Sequence, residues 1–312
     1  MSSQTNYKEK HAGRKRDLFP IVCIVIACVP LLFICSAILT IIAGGVTHVG
    51  EAVTSAEVLF SLRMSVVTST ISTTLCLLLA LPTAYALTRT SMPFKRAAET
   101  LMQLTLSLPY ILLGFALLLM FSSPAGKALK DIGFAVVFQP VGIVFAQLIV
   151  NLPFSIRMVR TAFGDVNPRM EFVAKTLGAS SFETFRTIIL PICRNSIIST
   201  FVLTWARGMG EFGATLMVAG NIPGKTQTLA LAIYDAFQAG DDPLAISLVL
   251  LTSAICLSIL VAADSFLSAR MGKGPRRKRK KTAPPAPSAS PALAGPASPA
   301  DAAPAAGQGG QA

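Results

Sequence analysis

Six stretches of this 312-residue chain are apolar over about 20 residues or more, and shorter polar segments separate them. A transmembrane helix needs about 20 mostly apolar residues, so each stretch is long enough to cross a membrane. The stretches are residues 18–43, 64–87, 101–121, 134–156, 192–219 and 244–266. The fourth and fifth are interrupted by polar residues and by glycine or proline. The pattern predicts an all-α polytopic membrane protein with six transmembrane helices.

Composition supports this prediction. Hydrophobic residues make up 53% of the chain and charged residues 13%, with a mean hydropathy of +0.63. Soluble domains carry about 25% charged residues. The first apolar run follows a basic segment, as in a signal peptide, but signal-peptide cores usually span about 7–15 residues. We therefore interpret the first run as an uncleaved anchor.

Lysine and arginine predict the orientation, because cytoplasmic loops are enriched in them. Both termini and the loops after the second and fourth stretches are basic, whereas the opposite loops carry Lys127, Lys130 and Lys225. This asymmetry places both termini in the cytoplasm. The predicted organisation is a tail (1–17), a six-span domain (18–270) with a cytoplasmic loop (165–191), and a C-terminal tail (271–312).

The C-terminal tail begins with a basic run at 275–281 and continues as Ala, Pro, Ser and Gly. The basic run follows the last span directly, so we expect contact with anionic membrane lipid rather than nucleic acid. The remainder cannot bury a core and is expected to be disordered. Six cysteines without a CxxC pair and two isolated histidines offer no metal or disulfide pattern. No metal, cofactor or catalytic cluster is expected.

The loop between the fourth and fifth stretches has its own helix signals. Asn167 followed by Pro168 is typical of a helix start, and Gly178 of a helix end. Ser180 and Glu183 have the spacing of a capping box, and Pro191 can begin the fifth span. The loop is predicted to be two short helices that project from the membrane.

Two charges lie deep in the fifth stretch. Arg207 is 16 residues beyond Pro191, which places it about 24 Å along a helix. Glu211 is four residues further on and could pair with Arg207 on one helix face. The two could form a structural ion pair or line an anion path, and these interpretations are compatible. Gly213 and Asn221 are further candidates for the path or its gate.

Beyond this stretch, residues 228–238 are predicted to form a short outer helix, and Asp242 followed by Pro243 is predicted to cap the sixth span.

The cytoplasmic loop EFVAKTLGASSFETFRTIILP (171–191) resembles the loop by which membrane subunits of ABC importers bind their ATPase. That motif reads E-A-A, three residues, Gly, nine residues, I-x-L-P. Phe172 and Val173 replace its first two residues, and Glu171 lies one place early. The resemblance implies ATPase-coupling residues in this loop: Glu171, Ala174, Gly178, Ala179, Ser180, Leu190 and Pro191.

The segment GEFGATLMVAGNIPGKTQTLALAIYDAFQAGD is very similar to the matching region of molybdate importer permeases, and less similar to that of sulfate permeases. The resemblance implies an ABC importer type I permease fold, a homodimer, two copies of a separate ATPase and an extracytoplasmic oxyanion-binding protein. The chain has no phosphate-binding GxxxxGK[ST] loop of its own. Sulfate, thiosulfate or tungstate are alternative substrates. An ion-coupled secondary transporter or channel would explain an Arg207–Glu211 pair but not the pattern from Gly178 to Pro191. A membrane enzyme is the least favoured alternative, because no His, Asp, Glu or Cys cluster has metal or catalytic spacing.

Overall fold

The computed structural model describes residues 18–46 and 49–271. This part consists of helices joined by short connections and contains no β-strand, which confirms the all-α prediction for it. The predicted tail 1–17 and the basic and Ala/Pro-rich segments beyond Met271 lie outside the described residues. The α-helices are α1 (Leu18–Gly45), α2 (Val49–Thr54), α3 (Ala56–Arg89), α4 (Lys95–Ser107), α5 (Tyr110–Ser122), α6 (Pro124–Asp131), α7 (Pro140–Gly164), α8 (Pro168–Thr176), α9 (Ser181–Thr184), α10 (Leu190–Met209), α11 (Gly213–Ala219), α12 (Leu229–Gln238) and α13 (Asp242–Met271).

Five helical runs within the described residues are long and apolar enough to cross a membrane. They lie in α1, α3, α7, the run from Ser181 to Met209, and α13. They correspond to the first, second, fourth, fifth and sixth predicted spans. A sixth span results only if the bent pair α4–α5 is counted as one.

The third predicted span is not a straight helix. Helices α4 and α5 meet at an angle of 112°. Leu108 lies between them in an extended conformation, because the following Pro109 disfavours helical backbone before it. Pro109 also has no N–H to continue the helix. Hydropathy averaged over residues 101–121 conceals this elbow, so the third predicted span appears as a bent pair of helices and not as one straight helix.

The fifth predicted span starts earlier and ends earlier than expected. A π-helical turn at Phe185–Ile189 joins α9 to α10 and makes one helical run. Pro191 has no N–H to bond to the carbonyl of Thr187. Just before it, Leu190 N–H bonds to the carbonyl of Phe185, five residues earlier, which is the π-helical spacing. Pro191 therefore lies inside the run and does not begin it. At the other end, the chain leaves helical geometry after Met209 and restarts in α11.

The connection between α11 and α13 contains the predicted short helix, α12 (Leu229–Gln238). Thr228 caps α12 by accepting a hydrogen bond from Leu231 N–H (3.5 Å). The cap of α13 is shifted by one residue, because Asp241 Oδ1 accepts from Leu244 N–H (3.1 Å). Asp242 is instead the first residue of α13, and its prediction as the cap was wrong.

Helices α3 and α7 pack along a polar seam. One face of α3 buries Ser61, Ser65, Thr68, Ser69, Ser72 and Thr73. Gln147 of α7 donates from Nε2 to Ser69 Oγ (3.3 Å) and to the carbonyl of Gly208 in α10 (3.0 Å). Small hydroxyl side chains let membrane helices approach closely and bond to each other. The seam therefore fixes α3, α7 and α10 as one unit around which the other helices pack.

Helices α5 and α11 also meet closely. A Cβ atom added to Gly114 of α5 would lie 2.5 Å from Ala214 Cα of α11. By contrast, a Cβ added to Gly164 at the end of α7 would have no atom within 4 Å. Gly114 is therefore required by the contact between these two helices.

We predict that Gly114→Ala destabilises the protein by about 1–3 kcal/mol, the usual cost of overpacking a filled interface. The measurement is thermal unfolding of the purified chain in detergent. Gly164→Ala is the matched control and should unfold like the wild type. Equal melting temperatures for both variants would contradict the close α5–α11 contact.

Candidate functional site

The last turn of α10 carries Arg207, one of the two charges predicted to lie deep in the fifth span. Arg207 lies two residues before the end of this helix. Its guanidinium donates from Nε to Asn151 Oδ1 of α7 (3.2 Å) and from an Nη to the hydroxyl of Tyr110 (2.6 Å). The guanidinium also stacks on the ring of Phe154, with its carbon 4.7 Å from the ring centre. Neutral groups from two helices, α5 and α7, therefore hold this cation.

The predicted ion pair between Arg207 and Glu211 does not form. Two ion pairs occur within residues 18–46 and 49–271, Arg89–Glu171 and Arg160–Glu99. The four-residue spacing brings side chains together only on a continuous helix. Because α10 ends at Met209, this spacing is lost.

Glu211 instead accepts a hydrogen bond from the start of the next helix, α11. Its side chain is buried, and Oε1 accepts a hydrogen bond from Ala214 N–H in the first turn of α11 (2.8 Å). The first N–H groups of a helix have no partner within the helix, and a carboxylate there is favoured by the helix dipole. Glu211 therefore fixes the start of α11 beside the Arg207 site.

A cavity of about 630 Å³, which we call the Arg207 cavity, lies at the break between α10 and α11. Its wall includes Tyr110 from the α4–α5 elbow, Asn151 from α7, and Arg207, Glu211 and Gly213 from the break itself. The structure thus brings three of the four predicted path residues to one cavity. It adds Tyr110 and Asn151, which the sequence analysis missed. An Asn in an apolar helix was a detectable signal, whereas the contribution of Tyr110 depends on the elbow.

Asn221, the fourth predicted path residue, lies in the connection between α11 and α12. Its Nδ2 donates to Asp235 Oδ1 (2.6 Å), and Gln227 Nε2 donates to the other oxygen of the same carboxylate (2.8 Å). Ser61 of α3 donates to Gln227 Oε1 (3.1 Å). The structure therefore places Asn221 in a network that fastens this connection to α3, and not at the Arg207 cavity.

The loop between α7 and α10 has the predicted helix–glycine–helix form. Asn167 caps α8 by accepting from Arg169 N–H (3.0 Å), and Ser180 caps α9 by accepting from Glu183 N–H (3.1 Å). Gly178 has a φ of +91°, a backbone conformation that other residues rarely adopt. The predicted caps and the glycine stop are confirmed.

Glu171 has a different environment from the rest of this loop. Its side chain is 9% exposed, and Oε1 lies 2.7 Å from Arg89 Nε at the end of α3. Arg89 also donates from Nη2 to the carbonyls of Phe163 and Val166 (both 2.9 Å). Glu171 therefore fastens α8 to the ends of α3 and α7.

The outward face of the loop is apolar. Phe172 is 70% exposed, Leu177 83% and Phe182 71%, and Val173 is also exposed. We define these four residues as the apolar knob. Phe172 and Val173 are the residues that depart from the importer motif in the sequence. Of the other predicted coupling residues, Ser180 and Pro191 are exposed, whereas Ala174, Ala179 and Leu190 are half-buried beneath the surface.

The part of the chain that the structure describes contains no candidate metal site. No group of three His, Cys, Asp or Glu side chains there could hold a metal ion.

Comparison with known proteins points to one family. The family model described as "Binding-protein-dependent transport system inner membrane component" matches residues 77–271. The chain is 35% identical over 184 residues to the molybdenum transport system permease protein ModB of Azotobacter vinelandii, covering 58% of this chain and 81% of that protein. It is 28% identical over 253 residues to the sulfate transport system permease protein CysT of Salmonella typhimurium, covering 78% and 91%.

A solved structure supports the fold. The chain aligns with a chain of the bacterial alginate ABC transporter at a TM-score of 0.62 and 16% sequence identity, covering 82% of this chain and 96% of that one. The chain therefore belongs to the family of inner membrane components of binding-protein-dependent transport systems, as a multi-pass permease subunit of an ABC importer in which a separate ATPase hydrolyses ATP.

Proposed function

We propose that this subunit carries a tetrahedral oxyanion, molybdate in the first place, into the cytoplasm. The observation that carries this proposal is that the Arg207 guanidinium lines the cavity and is held there only by neutral partners. Relatives named for molybdenum and for sulfate transport support the oxyanion class. Sulfate is the second candidate because of the similarity to CysT, and tungstate and thiosulfate belong to the same class.

The Arg207 site has the chemistry to receive an anion. An arginine at the bilayer centre costs about 2.5–3.5 kcal/mol on insertion scales. Tyr110 and Asn151 supply hydrogen bonds, but no carboxylate within the described residues lies at ion-pair distance from Arg207. A guanidinium has five N–H donors, and these two partners use two of them. The remaining donors and the positive charge are what an oxyanion requires.

We further propose the assembly that the resemblance implied. Two copies of this subunit form the pathway between them, with both termini in the cytoplasm. An extracytoplasmic binding protein delivers the anion, and two copies of the ATPase bind the cytoplasmic loops. Selection between similar dianions belongs mainly to the binding protein.

The apolar knob is the surface that we assign to the ATPase. It places four exposed apolar side chains on a compact loop, and burial of apolar surface is the main favourable contribution to most protein–protein association. Its movement reaches the membrane helices through the Glu171–Arg89 ion pair, because Arg89 lies at the end of α3 and bonds to backbone at the end of α7. ATP-driven closure of the ATPase pair would thus reorient α3 and α7 and alternate access to the Arg207 cavity.

We predict that Arg207→Gln lowers molybdate uptake about 10- to 150-fold, the loss expected when hydrogen bonds to a charged group are removed (about 1.5–3 kcal/mol). Tyr110→Phe keeps the ring and removes one hydrogen bond, so its uptake should fall less. The measurement is uptake of labelled molybdate by proteoliposomes containing the complete importer.

Tyr234→Phe is the matched control. Tyr234 packs on Phe212 through its ring, with the ring centres 5.1 Å apart, and this substitution retains that contact. Its uptake should equal that of the wild type. Wild-type uptake by correctly folded Arg207→Gln would contradict an anion path through this cavity.

We predict that Phe172→Ser and Leu177→Ser each weaken ATPase binding about 5- to 30-fold, as expected for losing about 1–2 kcal/mol at an interface centre. Gly178→Asp should also reduce binding, because it disfavours the turn that shapes the loop. The measurement is the amount of ATPase that copurifies with the tagged subunit from detergent.

Phe237→Ser on α12 is the control, since Phe237 is 64% exposed but lies far along the chain from the loop. It should retain the ATPase. Full recovery of ATPase with Phe172→Ser, Leu177→Ser and Gly178→Asp would show that the ATPase binds elsewhere.

A further inference from the structure

A second polar cavity lies between α4 and α7, on the side that the charge pattern predicts to be cytoplasmic. Its volume is about 250 Å³, which is room for about eight water molecules at roughly 30 Å³ each. Its polar wall consists of Glu99 and Gln103 from α4, and Arg157 and Arg160 from α7. The site described above uses none of these side chains.

The charges of this cavity favour an anion. Arg160 Nη2 lies 2.7 Å from Glu99 Oε1, so these two charges compensate each other. Arg157 is exposed, and no side chain or backbone acceptor in the described residues pairs with its guanidinium. Arg157 therefore gives the cavity a net positive charge, and the Gln103 amide adds neutral hydrogen-bond donors.

The two cavities share the same structural elements. Asn151, Phe154 and Arg157 follow one another at spacings of three along α7, so they are neighbours on the helix surface. Asn151 contacts Arg207 in the first cavity, Phe154 stacks on Arg207, and Arg157 lines the second cavity. The rise from Asn151 to Arg157 is about 9 Å. The α4–α5 elbow contributes Leu106 to the second cavity and Tyr110 to the first.

From this arrangement we infer that the cavity between α4 and α7 is a second oxyanion site, which the anion occupies after it leaves Arg207. The inference rests on the proposed oxyanion transport. Phe154 is the residue between the two sites. The negative charge of the Glu99 carboxylate lowers the affinity of the second site for an anion. A low affinity is appropriate near the end of the path, because transport requires binding weak enough to allow release.

The test uses the full-length subunit with its ATPase in nanodiscs of phosphatidylcholine. Gln103→Cys places a thiol in the cavity and leaves Arg157, Arg160 and Glu99 intact. A thiol reagent modifies the protein with and without molybdate, and mass spectrometry reports modification at position 103. Modification should slow about fivefold when molybdate is at four times its dissociation constant, since occupancy protects by the factor 1 + [L]/Kd.

Three controls define the result. Thr100→Cys lies on an exposed part of α4 outside the cavity wall, and molybdate should not protect it. Adding Arg157→Gln to Gln103→Cys should abolish protection. Adding Arg96→Gln to Gln103→Cys removes an exposed cation from α4 and should leave protection unchanged. Chloride at the same ionic strength should give no protection.

Several outcomes would overturn the inference: no protection, equal protection by chloride, or protection that survives Arg157→Gln. A cavity that is protected only in discs containing phosphatidylglycerol would be a site for an anionic lipid headgroup and not for the transported anion. Molybdate reaches this cavity directly from solution in a nanodisc. Absence of protection in Gln103→Cys alone therefore refutes the second site, whereas wild-type uptake by Arg207→Gln refutes the proposed path.

Uptake provides an independent measurement. In the complete importer, Arg157→Gln should lower the maximal rate of molybdate uptake and leave the external concentration for half-maximal uptake unchanged, because the binding protein sets the latter. Arg96→Gln should change neither. An unchanged maximal rate in Arg157→Gln would show that the anion leaves by another route.

Discussion

A guanidinium group inside a membrane helix must be solvated by the protein itself, and this constraint governs the architecture around Arg207. Lipid offers no hydrogen bonds, so buried cations need polar partners from neighbouring helices. Here the elbow between α4 and α5 supplies Tyr110, and α7 supplies Asn151 and the ring of Phe154. The partners are neutral, so the positive charge stays available to an anion. Glu211, the nearest carboxylate in sequence, is occupied by the start of α11.

The sequence predicts well those features that one segment determines alone. A run of about 20 apolar residues has few alternatives to a helix in lipid, and five of the six predicted spans appear as long helical runs. Caps such as Asn167 and Ser180 were also predictable, since each bonds to backbone two or three residues away. The turn at Gly178, which has a positive φ, was predictable for the same reason, because it depends on the local sequence alone.

Features that depend on a helix break or on another segment were missed. The elbow at Leu108 and Pro109 turns the third span by 112° and brings Tyr110 to Arg207. The break after Met209 separates Arg207 from Glu211, although their spacing fits an ion pair on a continuous helix. Glu171 looked like a displaced motif residue, but its buried partner Arg89 is 82 positions away in the chain. Tertiary contacts of this kind leave little signal in a single sequence.

The most direct test of anion transport through the Arg207 cavity is an electron cryo-microscopy structure of the complete importer with bound tungstate, which is electron-dense and has the same charge and shape class as molybdate. We expect density for the ion in the Arg207 cavity, within hydrogen-bond distance of the guanidinium and beside Tyr110 and Asn151. Density for the ion elsewhere in the membrane domain, with the Arg207 cavity empty in every conformation along the transport cycle, would contradict it.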